Sequence, residues 1–165
     1  MKYQWRLIVL GILMAAFGET PATAQQAMST ADMAKVKAEV SVAEANYIRV
    51  FSAKDIRTVV DKVWAHPAVE MGPGGAKLLT PADVEENYKK IYAGLAKTAW
   101  DHSEGTSVVC VISPTMAVSR NHFRRLTKDG ALLMEGYSHY LYTKQADGWR
   151  ITTSLGNQLK DLKCD

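Results

Sequence analysis

The chain has 165 residues, 47% of them hydrophobic and 22% charged, enough for one domain with a proper core. Its formal net charge of +3 is not gathered into a basic face, so no nucleic-acid partner is expected.

Residues 1–24 read as a secretory signal peptide. Lys2 and Arg6 form a positive start, Leu7 to Phe17 is a short apolar run, and Ala22-Thr23-Ala24 fits a small-x-small cleavage site. The run is too short for a comfortable membrane span. No cysteine follows it to carry a lipid anchor. The mature chain is expected to start near Gln25 and to be periplasmic or secreted, with no membrane attachment once the signal is gone. An uncleaved anchor is the competing reading.

A first helix is predicted from Ser29 or Thr30, where Met33, Val36, Val40, Ala43, Tyr47 and Val50 recur at helical spacing. Ser52-Ala53-Lys54-Asp55 is a second start signal, and Ile56, Val59, Val60, Val63 and Trp64 give a short helix closed by His66-Pro67. Ala68 to Met71 and Lys77 to Leu79 form a short hairpin across Gly72-Pro73-Gly74-Gly75. Thr80-Pro81-Ala82-Asp83 opens a third helix, with Val84, Tyr88, Ile91, Tyr92 and Leu95 on one face. From Thr98 the period becomes two, and Val108 to Asn157 predicts four strands. Two of their turns carry Asp129-Gly130 and Asp147-Gly148. The expected fold is α+β: a cone-shaped, curved antiparallel sheet wrapped around three N-terminal helices. One domain spans residues 29–157, and 158–165 form a C-terminal tail.

Both Asp-Gly turns fit three-residue loops, and that choice sets the faces. It pairs Gln145 with Trp149, Thr143 with Ile151 and Leu141 with Thr153, and it places Asn121, Phe123 and Arg125 beside Tyr137, Glu135 and Leu133. The inward set is then Tyr137, His139, Leu141, Trp149, Ile151 and Leu155. The outward set is Val108, Cys110, Ile112, Val118, Arg120, His122, Arg124, Tyr140 and Tyr142. A slip of one residue inverts these assignments. So apolar an outer face predicts a homodimer through the convex side of the sheet, unless the tail covers it. Cys110 and Cys164 can pair only if the tail folds back, and the sequence leaves that open.

The order of elements, Ser52-Ala53-Lys54-Asp55, Trp64-Ala65-His66-Pro67-Ala68-Val69, the glycine turn, the Thr-Pro helix and Asp147-Gly148-Trp149-Arg150-Ile151 resemble the nuclear transport factor 2-like superfamily. The nearest likeness is to its SnoaL-like and ketosteroid-isomerase-like branch. The resemblance implies a conical α+β fold, a cavity between sheet and helices, and frequent dimerisation. Family enzymes use a carboxylate or histidine in an apolar cavity, often helped by tyrosine. Many relatives have an acid in the segment equivalent to Trp64–Val69; here His66 stands there and no carboxylate does.

The best polar cluster expected in the cavity is Asn121, Glu135, Tyr137 and His139. Glu135 would act as a base with a raised pKa, Tyr137 or Asn121 would donate to a developing oxyanion, and His139 would shuttle a proton. The competing reading pairs Glu135 with Arg125 and leaves His139 a satisfied core histidine. His66, Phe123, Trp149 and Tyr47 are the candidate ligand-binding residues. The four histidines are scattered, so neither a metal nor a cofactor is expected. The predicted function is binding of a small apolar or aromatic ligand, with cofactor-free acid–base catalysis of isomerase, dehydratase or cyclase type. A non-catalytic binding, dimerisation or accessory module is the alternative.

Overall fold

The computed structural model describes residues 28–156 and Cys164; the segment read as a signal peptide and the rest of the tail lie outside the described residues. Helix α1 runs Thr30–Ser52, started by the Ser29 hydroxyl accepting from the Asp32 amide. Helix α2, Ile56–Thr58, is capped by Asp55 and widens into a π-helical turn, Val59–Val63. The break between α1 and α2 falls on Lys54, at φ 59°. Ser52 does not cap α2: its hydroxyl receives the Ser103 amide at 2.9 Å and ties the end of α1 to the sheet.

Strands follow as β1 (Trp64–Gly72), β2 (Gly75–Leu79), β3 (His102–Ser113), β4 (Met116–Leu126), β5 (Leu132–Gln145) and β6 (Gly148–Gly156). Helix α3, Pro81–Leu95, comes between β2 and β3 and starts on a reciprocal Thr80–Asp83 capping box, as its sequence predicts. The first strand begins at Trp64, four residues earlier than expected, because Trp64 pairs with Ile151 and its buried ring donates Nε1–H to Tyr88. His66-Pro67 therefore lies inside β1 rather than ending a helix; its extended backbone suits the residue before proline.

The six strands form one sheet in the order β2-β1-β6-β5-β4-β3. All neighbours are antiparallel except β1 and β6, which run parallel. The sheet packs α1 and α3 against its inner face, with Val40, Val50, Val59, Val84 and Ile151 among the least exposed side chains. This is the α+β cone, with a mixed sheet in place of a purely antiparallel one.

Two register differences exchange the faces of β5. The Thr127–Ala131 loop closes as expected, with Gly130 left-handed at φ 85°. One step further, Leu126 pairs with Leu132 but Arg125 pairs with Met134, so Leu133 is a bulge. Asn121 consequently faces Ser138, and Tyr137 lies beside His122. At the last hairpin Gln145 pairs with Gly148 across a two-residue turn, which sets Tyr142 against Ile151. A second bulge at Thr152 restores the Leu141–Thr153 pairing. Trp149 and Ile151 stay inside. Tyr140 and Tyr142, expected outside, are buried, while Tyr137, His139 and Leu141, expected inside, take the outer face. Leu155, also expected inside, is a half-buried bulge residue with no partner on β5.

Cys110 on the outer face of β3 is bonded to Cys164, with their Cα atoms 5.0 Å apart. Cys164 therefore lies against the sheet. This register makes opposite predictions for two tyrosines. Tyr142→Ala empties a site only 1% exposed and is expected to cost about 3–5 kcal/mol in urea unfolding. Tyr137→Ala, at a site 43% exposed, is expected to cost about 1 kcal/mol at most.

Candidate functional site

A cavity of about 350 Å³ opens between α1, α3 and strands β3 to β5. Its aromatic wall is Tyr47 and Phe51 from α1, Phe123 from β4 and Tyr140 from β5. These come together because α1 repeats its apolar positions every three or four residues, while β4 and β5 alternate. Gly136 gives Phe123 its place: a Cβ there would stand 2.8 Å from the end of that ring. A second hollow of about 370 Å³, toward β1, shares Tyr47, Ile91 and Tyr140 with the first.

Behind the wall the phenols form a chain. Trp64 donates to Tyr88 at 3.2 Å, Tyr88 donates to Tyr47 at 2.8 Å, and the Tyr47 and Tyr140 hydroxyls lie 3.5 Å apart. Burial holds the pKa values of Tyr47, Tyr88 and Tyr140 above the usual phenol value, so all three are neutral hydrogen-bonding groups. Tyr92 is pushed up to about 12 by the same cause.

The polar centre of the interior is Glu44, a residue sequence reasoning missed. It is 2% exposed, and its carboxylate accepts from the Ser119 hydroxyl and, at 3.0 Å, from Asn121 Nδ2. Burial raises its pKa, only partly opposed by those hydrogen bonds. Tyr142, in the field of Glu44, has a buried hydroxyl with no hydrogen bond of good geometry among the described residues. A signal for Glu44 was present: it stands four residues after Val40 and three before Tyr47, on the apolar stripe itself.

Asn121, Phe123, Tyr47, Glu135 and Tyr137, five of the eight residues singled out from sequence, line the cavity. Asn121 is 2% exposed and presents its amide from above Glu44. His139, His66 and Trp149 do not line it. Glu135 reaches the rim, but its carboxylate turns outward to His122 Nε2 at 3.3 Å. Tyr137 stacks on His122 with ring centres 4.8 Å apart and lies under the Arg120 guanidinium. His139 is fully buried on the outer face, where its Nδ1 meets the Gly156 carbonyl at 2.9 Å. Bulging at Leu133 is the reason the side chains of these three take the outer face. His66 is exposed and bonded to the Val60 carbonyl, because β1 is irregular between Trp64 and Val69. Trp149 donates to Glu39 at 2.8 Å and lines a different hollow, beside Lys144 and Arg150. Among the described residues no cluster of three or more histidine, cysteine or acidic side chains could hold a metal. No described helix is long and apolar enough to cross a membrane.

The family model of an NTF2-like protein (DUF6841) matches residues 38–158. The chain belongs to this NTF2-like family. The cone fold recurs in a ketosteroid isomerase-like protein from Erwinia carotovora atroseptica, 20% identical, covering 72% of this chain and 92% of that one at a TM-score of 0.52. An NTF2-like protein with a cystatin-like fold from Novosphingobium aromaticivorans is 14% identical over 74% of this chain and 80% of its own, with a TM-score of 0.57. A DUF3225 protein of unknown function from Pectobacterium atrosepticum is 21% identical over 78% and 95%, with a TM-score of 0.54. At such identities the likeness is one of fold. No curated protein matches the chain. Proteins that share the fold are thus in part isomerase-like by description and in part of unknown function.

Glu44 makes stability depend on pH in a definite direction. At low pH both the folded and the unfolded chain hold its proton. As pH rises past the ordinary glutamate value of 4.5, the unfolded chain releases the proton first, so stability falls until the raised folded-state value is passed and stays lower above it. Glu44→Gln, neutral throughout, is expected to match the native chain at low pH and to exceed it at neutral pH in urea unfolding. Glu44→Ala is expected to be destabilised by roughly 1–3 kcal/mol, since Ser119 and Asn121 lose a buried partner.

Proposed function

We propose that this protein is exported and binds a small apolar or aromatic ligand in the cone cavity. The observation that carries this reading is the roughly 350 Å³ space walled by Tyr47, Phe51, Phe123 and Tyr140, with the Asn121 amide held in place by Glu44. A mostly aromatic wall with a few fixed polar groups is the usual character of a small-molecule site. Export is supported by the Lys2–Ala24 pattern and by the Cys110–Cys164 bond, since disulfides persist in oxidising compartments.

Cofactor-free acid–base catalysis, of isomerase, dehydratase or cyclase type, is the second reading. The raised pKa of the Glu44 carboxyl favours it, as does the likeness to a protein described as ketosteroid isomerase-like. Both oxygens of Glu44 are already engaged, which makes positioning of Asn121 its better-supported role. Homodimerisation through the outer face is supported by Val108, Ile112 and Tyr137, which stand exposed there.

Native mass spectrometry of the protein from its own compartment tests these together. The expected result is a chain lacking residues 1–24, with the disulfide closed, a retained small molecule and a dimer mass. Ile91→Trp, at the mouth shared by both hollows, is expected to lose the retained molecule without losing the fold. A chain that carries no ligand and binds no aromatic probe in solution would refute the binding role.

A further inference from the structure

Arg125 stands on the inner side of β4, opposite Ser103 of β3 and Met134 of β5, and lines the cavity. Its guanidinium lies over the rings of Phe51, at 5.5 Å, and Phe123, at 5.3 Å. It is half-buried, and its Nε is buried without a hydrogen-bond partner among the described residues. No carboxylate among the described residues comes within ion-pair distance of it. The contrast with other arginines is plain: Arg124 has Glu104 at 3.3 Å, Arg150 has Asp147 at 2.6 Å, and Arg57 has Asp61 at 3.5 Å. The Arg57 and Arg124 pairs lie at the surface, where water could have satisfied them. The arginine that faces the apolar cavity has no acid beside it among the described residues.

We propose that the cavity takes an anionic ligand, a small apolar or aromatic carboxylate, whose carboxylate is received by the Arg125 guanidinium. The proposal rests on the ligand-binding role given to the cavity and names the class of molecule. A guanidinium half removed from water and without an acid is costly, and an incoming carboxylate recovers that cost through two parallel charge-assisted hydrogen bonds. The flanking rings hold the fork by cation–π contact and leave its N–H edge for the ligand. Phe51 and Phe123 then continue as the wall against which an apolar body packs, toward Tyr47 and Tyr140.

The neighbouring acids do not compete for Arg125. Glu135 is turned to His122 on the other side of the sheet, and Glu44 is engaged beneath Asn121, where burial favours its neutral form. Among the described residues no lysine and no second arginine lines this cavity. One cation suits a singly charged carboxylate better than a doubly charged phosphate.

Isothermal titration of the full mature chain with naphthoate and with its neutral isostere naphthamide tests this. The native chain is expected to bind naphthoate at least about tenfold more tightly than naphthamide, the scale of one charged hydrogen bond. Arg125→Gln is expected to bring naphthoate and naphthamide to the same affinity. Arg125→Lys, which keeps the charge but loses the fork, is expected to recover part of the preference and guards against a folding defect in the first variant. Naphthyl phosphate binding more tightly than naphthoate would overturn the carboxylate assignment. Equal affinity of the native chain for naphthoate and naphthamide, or a preference that survives Arg125→Gln, would overturn the anion site while the binding role stands. Binding of neither compound would remove both.

Discussion

Leu133 has no partner on β4, and the inner face of the cone depends on that. In a strand, a shift of one residue moves every later side chain to the opposite side. With Leu133 bulged, β5 delivers Ser138, Tyr140 and Tyr142 to the interior and keeps Glu135, Tyr137 and His139 on the other face. The Tyr140 ring then meets Tyr47 edge-on at 5.8 Å and Trp64 at 6.3 Å, which joins β5 to α1 and β1. Without the bulge, the carboxylate of Glu135 and the ring of His139 would point at an apolar wall. A buried ionised carboxylate without a partner is among the costliest arrangements a core can hold. The two-residue turn after Gln145 supports the same register from the other end of β5.

Given that register, the interior divides into two polar points separated by aromatic surface. Glu44 sits deep, bridging α1 to β4 through Ser119 and Asn121, and fixes the helix against the sheet. Arg125 sits near the rim of the cavity, its charge unmatched by any acid among the described residues. Between them, Tyr47, Phe51 and Phe123 supply area without charge. The tyrosine hydroxyls satisfy one another and Trp64, so the aromatic wall is buried with almost no unpaired polar atoms. A cavity with one anchored amide and one available cation has a polarity along its length, and a ligand would be oriented by it.

The legible part of the site lies on uninterrupted elements. Tyr47 follows from the helical stripe of α1, and Asn121 and Phe123 follow from the alternation of β4, where nothing breaks the period. Glu135, Tyr137 and His139 were misplaced because they lie beyond a bulge that the local sequence, Ala131-Leu132-Leu133-Met134, does not announce: any of four apolar residues could have been the extra one. Glu44 was legible in principle, as a charge standing on an apolar stripe. It is paired by residues 75 and 77 positions away, which no local pattern joins to it.

The sequence by itself determined α1, α3 with its Thr80 cap, the four-strand meander and the α+β class, since these rest on periodicity and turn chemistry within a few residues. Its family membership was legible from the order of those elements. Tertiary structure alone decided which face of β5 is inside, that Cys164 reaches Cys110, that Glu44 gains partners, and that Arg125 lacks one. Each of those is a relation between residues distant in the chain. A strand can take either face until packing makes one of them much cheaper to bury.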